Sequence, residues 1–130
     1  MILAPLALAA ALAPQAAARP AASSSLDFEF FRTRVQPIFL AKRSGNARCY
    51  VCHSAGTGFR LQRLSAGAGS WDEEQSRKNF AAVQRLVAPG DPLASRLLMH
   101  PLAEEAGGDL FHSGGKHWTS QTNPDRKSVV

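Results

Sequence analysis

Both cysteines of this 130-residue chain fall within five residues, Cys49-Tyr50-Val51-Cys52-His53, with a histidine directly behind the second. The rest of the sequence makes that stretch decisive. Residues 1–18, "MILAPLALAAALAPQAAA", carry no charged side chain and stand apart from the remainder of the chain. Without them, apolar residues are about 38% of the total, a modest share for a soluble domain. A body of about 110 residues with so small a core gains little from burial alone, and often recruits a disulfide, a metal or a cofactor to stay folded.

Four chemistries compete for Cys49, Cys52 and His53. In the first, each thiol adds to a vinyl group of haem to form a thioether, and the imidazole of His53 binds the iron from one side. Two residues between the thiols match the separation of the vinyl groups, and the adjacent histidine then lies under the iron. The second is a dithiol redox pair, which wants a βαβ setting that is not visible here. The third is a closed zinc site using two of the four histidines, for which His112 and His117 are an available pair. The fourth is a surface disulfide or coincidence, a poor explanation for so specific a pentapeptide. The context favours covalent haem.

Residues 1–18 read as a secretory signal peptide, with an apolar run and a small-residue exit at Ala16-Ala17-Ala18, although no Lys or Arg precedes the run. Cleavage there starts the mature chain at Arg19. Export to the periplasm or beyond suits haem c, which is attached outside the cytoplasm. The alternative is a membrane anchor, but Pro5, Pro14 and Gln15 interrupt a run already shorter than the roughly 20 apolar residues of a spanning helix. Membrane contact is therefore expected only if the leader is retained. Residues 19–25 form an Ala/Ser linker, leaving 26–130 as one haem domain.

The formal net charge is +5, and between Phe31 and Ser70 lie Arg32, Arg34, Lys42, Arg43, Arg48, Arg60 and Arg63 with no acidic residue. A basic ring beside the motif would steer an acidic redox partner protein. The plainer use is solvation, with one or two arginines pairing haem propionates. Nucleic acid is not expected, since no binding motif accompanies the charge.

The expected fold is mainly α. Phe28, Phe31, Val35, Ile38 and Phe39 advance by three or four, which predicts a helix over 27–42 capped by Ser25 and kinked or split near Val35 by Pro37. "RSGNA" turns the chain into the motif, "SAGTG" leads it out, and 59–69 reads as loop. Ser70 and Glu73 fit a capping box for a second helix to about Val87, with Phe80, Val83, Leu86 and Val87 on its apolar face. Asp91-Pro92 starts a third that ends at Pro101. Residues 102–122 form a long Gly-rich loop, functional or disordered, and Asn123-Pro124-Asp125 begins one more helix.

"VQPIFLAKRSGNARCYVCHSAG" and "LVAPGDPLASRLL", in that order, resemble small class I-like cytochrome c domains, and more closely the planctomycete-type cytochrome c domain of exported bacterial proteins. The resemblance spans Phe28 to Asp125. It implies a few helices wrapped round one covalent haem c, single-electron transfer, and no substrate chemistry. It also implies a C-terminal helix across the first, for which residues 123–130 leave no room, so Phe31, Val35 and Phe39 are expected to lose packing. In the family pattern a methionine of the last loop meets the iron; by position His112 stands in its place here.

Met99, His100 and His117 remain the other candidates for that sixth position. Met99 sits in an apolar run and reads equally as core filling, and His100 suits a helix C-terminus. His112 lies in a loop with Phe111 and Trp118 as aromatic flanks and glycines at 114 and 115 that permit close approach. His53 with His112 implies a low-potential carrier, His53 with Met99 a higher one. An open sixth position implies a haem-based gas sensor or peroxidase-like protein, and loss of haem altogether a zinc-stabilised interaction module. Trp118, Phe59 and the Phe28–Phe39 stripe are the expected apolar pocket.

Overall fold

The computed structural model describes residues 25–43 and 45–127. The expected leader, and the linker apart from Ser25, lie outside the described residues. Among the described residues the regular structure is helical, with two isolated bridges, Arg43 to Asn46 and Leu102 to Trp118, and no strand.

The first helical unit runs without a break through α1 (Phe28–Phe30), a π segment (Phe31–Val35) and α2 (Gln36–Leu40). Asp27, not Ser25, caps it, its carboxylate accepting from the Phe30 N–H at 2.5 Å. Pro37 does not split the unit. The proline ring crowds the preceding turn and brings no N–H, and the wider π segment, in which the Gln36 N–H reaches the Phe31 carbonyl, makes the room.

The apolar stripe behaves as its spacing predicts. Phe31, Val35, Ile38 and Phe39 are buried, and the expected loss of packing is corrected: Phe31 is 3%, Val35 4% and Phe39 5% exposed. Phe31 and Val35 are covered by α4 (Glu73–Gln84) and the segment after it, and Phe39 meets the Phe59 ring at 6.0 Å. The Phe80 ring lies 5.2 Å from Phe31 and 5.5 Å from Phe28, and Val83 and Val87 are buried in the same cluster. A buried hydrogen bond from Gln36 Nε2 to Ser76 Oγ, 3.0 Å, crosses the interface.

Two helix starts move from where local sequence puts them. Asp72 caps α4 with Gln75 closing the box, two residues beyond the expected Ser70 and Glu73. Trp71 is the reason: its side chain is buried and its indole donates to the Gln62 carbonyl at 2.7 Å, so the chain cannot turn into helix before it. Asp91 does cap a turn, accepting from Leu93 and Ala94 N–H, but the α-helix after it is only α5 (Arg96–Met99). Ser95, fully buried, donates to the Asp91 carbonyl and accepts from the Ala88 N–H, and the Leu97 N–H goes to Leu86. These bonds hold the segment against the end of α4 and delay the helix.

The long loop is ordered by its own ends. Ala103 N–H donates to the Trp118 carbonyl and His117 N–H to the Pro101 carbonyl, both at 2.8 Å, closing 103–117 like a purse. Gly108 makes the closure possible, because a Cβ there would collide with the Leu102 carbonyl. A 3₁₀ turn covers Glu104–Ala106, and α6 (Pro124–Lys127) comes after the loop. Its Arg126 is buried, donating to the Gln121 carbonyl at 3.1 Å. Among the described residues no helix is long and apolar enough to cross a membrane.

Candidate functional site

The motif forms α3 (Cys49–His53), a single helical turn. It is pinned from outside: the Tyr50 hydroxyl accepts from the Leu64 N–H at 3.0 Å, its ring meets Trp71, and the His53 carbonyl accepts from the Leu61 N–H at 2.8 Å. Residues three apart on a helix share a side, so Cys49 and Cys52 both face one cavity, and both are free thiols. Cys49 is half-buried, and burial pushes its thiol up; the nearby Arg43 guanidinium opposes the shift.

The cavity measures about 470 Å³, within the roughly 300–1,000 Å³ of ligand sites. Its apolar wall includes Ile38, Phe39, Phe59, Leu97 and Trp118. Of the expected aromatic stripe, only Ile38 and Phe39 reach it; Phe28 and Phe31 face α4 instead. Every histidine of the chain, His53, His100, His112 and His117, lines this one space.

His53 is oriented by the glycine-rich exit from the motif. Its Nδ1 lies 2.8 Å from the Phe59 carbonyl and 2.9 Å from Thr57 Oγ1, and the Thr57 hydroxyl itself donates to that carbonyl. A carbonyl only accepts, so Nδ1 is the donating nitrogen, and the lone pair of the neutral ring is on Nε2. His112 repeats the arrangement, Nδ1 donating to the Gly115 carbonyl at 2.5 Å. Gly115 adopts φ +81° to close that turn, and a side chain there would press on Asn46. A ligating histidine commonly donates its other ring N–H to a carbonyl in this way.

The rings of His53 and His112 lie 6.2 Å apart, centre to centre, and within 15° of parallel. His100 and His117 both contact His112 edge-on, at 4.9 and 5.8 Å. The His100 Nδ1 is taken by Asp109, at 3.0 Å. Burial holds His112 below the usual histidine range against the pull of the Gly115 carbonyl, with His100, His53 and Lys116 adding to the depression. Burial and then the His112, Arg43 and His53 charges lower His117 as well. Met99 is not part of the cavity wall; its sulfur accepts from Arg126 Nη2 at 3.8 Å.

A haem c fits this donor set: two thiols on one side, imidazoles with Nε2 unengaged, and an apolar wall. Two buried ring nitrogens on the same lining, His117 Nδ1 and Trp118 Nε1, have no hydrogen-bond partner among the described residues, and buried polar atoms normally have one. A closed zinc site fits less well. It wants four ligands, and among the described residues no group of three or more His, Cys, Asp or Glu side chains could hold a metal ion.

The basic stretch is dispersed. Arg32 pairs with Glu29 and Arg43 with Asp125, while Arg48 lies on the cavity lining, joined there by Arg96 from outside the stretch. Sequence reasoning missed Thr57, four residues beyond His53 and so within reach of its ring, and it missed the convergence of all four histidines, for which no local signal exists. Comparison with family models, curated proteins and solved structures finds no match to this chain.

Proposed function

We propose that this chain is an exported c-type cytochrome that carries single electrons on one covalent haem c, a protein with no substrate chemistry of its own. Cys49 and Cys52 hold the macrocycle, and His53 and His112 ligate the iron. One observation carries the reading: His53 and His112 stand 6.2 Å apart with near-parallel rings beside the two thiols. Two metal–nitrogen bonds of about 2 Å plus a ring radius on either side amount to about 6 Å, the spacing of two imidazoles sharing one metal. In each ring a backbone carbonyl, that of Phe59 or of Gly115, engages Nδ1 and leaves Nε2 as the nitrogen available to ligate.

Bound there, the haem supplies a one-electron couple between ferric and ferrous iron. The chain's residues fix ligand geometry, exclude water with Phe39, Phe59, Leu97 and Trp118, and set the local charge. Arg48 and Arg96 at the lining favour an acidic redox partner by long-range attraction. Expression of the full chain in a bacterium able to attach haem c, followed by mass spectrometry, tests the reading. One haem on the peptide holding Cys49 and Cys52 supports it; a chain that stays haem-free beside a control cytochrome that loads overturns it.

A further inference from the structure

The two sulfurs of the motif do not have equal surroundings. Cys52 is exposed, whereas Cys49 is half-buried and within reach of a cation. Arg43 Nη1 lies 3.8 Å from Cys49 Sγ and 3.3 Å from the Ile38 carbonyl, while Nη2 is 2.6 Å from Asp125 Oδ2. The guanidinium side chain is only 14% exposed, so its charge is weakly screened, and Asp125, at 46%, attenuates it from the solvent side. The three groups come from separate parts of the chain: the turn before α3, α3 itself, and α6.

From this contact we infer that Arg43 is a positioning residue for Cys49, that Asp125 damps its effect, and that Cys52 is the first of the pair to react with an electrophile. The inference rests on the haem reading only for its biological meaning, which is the order of thioether formation. Each addition to a vinyl group forms one C–S bond, spends one C=C π bond and moves the thiol proton to the neighbouring carbon, so no oxidant or reductant is consumed. The thiolate is the nucleophile, and a cation beside the sulfur favours it. The same charge near an attached haem disfavours the ferric state and raises the potential.

The test uses iodoacetamide on the reduced full chain made without haem, with each cysteine followed by mass spectrometry. Alkylation forms an S–C bond and releases iodide. Cys52 is expected to react about tenfold faster than Cys49 in the parent chain, given the dependence of thiol attack on access and thiolate fraction. With Cys52 as internal reference, Asp125→Asn should speed Cys49 and Arg43→Met should slow it, each by about threefold or more. Equal rates at the two sulfurs, or a Cys49 rate blind to both substitutions, would overturn the inference. In the haem-loaded protein the potential should rise with D125N and fall with R43M, whereas shifts of the same sign contradict it. Failure to attach haem sinks the proposed function and leaves the thiol result standing.

Discussion

Arg126 Nη2 donates to the sulfur of Met99 at 3.8 Å, and Met99 is not among the residues that line the cavity, as Leu97 and His100 do. The side chain that holds a thioether away from the site comes from the one-turn α6, and it is itself buried. Met99 is thereby core filling, the plainer of the two uses its sequence position allowed. Met99→Leu, a volume-conserving change, should leave the absorption spectrum of the haem-loaded protein unchanged and cost less than about 1.5 kcal/mol. A changed axial-ligand spectrum in that variant would place Met99 on the iron.

Asn79 is fully buried in α4, and its side-chain oxygen accepts from the Gln62 N–H at 2.7 Å. That bond fastens the loop running from Phe59 to Leu64, and the Phe59 carbonyl orients His53. Asn79→Ala leaves the partly buried Gln62 N–H without its partner, a loss of about 1 kcal/mol or more. Urea denaturation should show a lower midpoint at unchanged slope. A parental midpoint would mean that the loop is held by other contacts.

What local sequence could show and what it could not divide along physical lines. The apolar stripe of the first helix was legible because Phe31, Val35, Ile38 and Phe39 keep helical spacing, and the motif because its five residues are contiguous. Burial of Phe31 and Val35 by α4 was not legible, since the resemblance pointed to a different covering helix. The helix starts at Asp72 and Ser95 depend on contacts beyond the capping residues' own turns, Trp71 with the Gln62 carbonyl and Ser95 with Ala88. His112 could be placed only by its rank in a loop order; its pairing with His53 depends on a closure set by Pro101, Leu102, His117 and Trp118.

His112 and His117 both sit below the ordinary histidine value of 6.5, chiefly through burial. In the unfolded chain each regains that value, so the unfolded state binds more protons below it, and stability rises with pH there. In the chain made without haem, the urea midpoint should hold steady above about pH 7 and fall as the pH drops through 6.5 toward the lower, folded-state values. His112→Gln combined with His117→Gln should flatten that fall. A midpoint that rises on acidification would contradict the burial of these rings.

The pairing of His53 with His112 is the centre of the account, and carbon monoxide tests it most directly. The haem-loaded protein should be six-coordinate and low-spin, its ferric form without the weak long-wavelength band of methionine ligation and its ferrous form resistant to carbon monoxide. His112→Ala should turn high-spin and bind carbon monoxide at once. An alanine variant that keeps the parental spectrum, or a parent protein that takes up carbon monoxide as readily as the variant, would contradict ligation by His112.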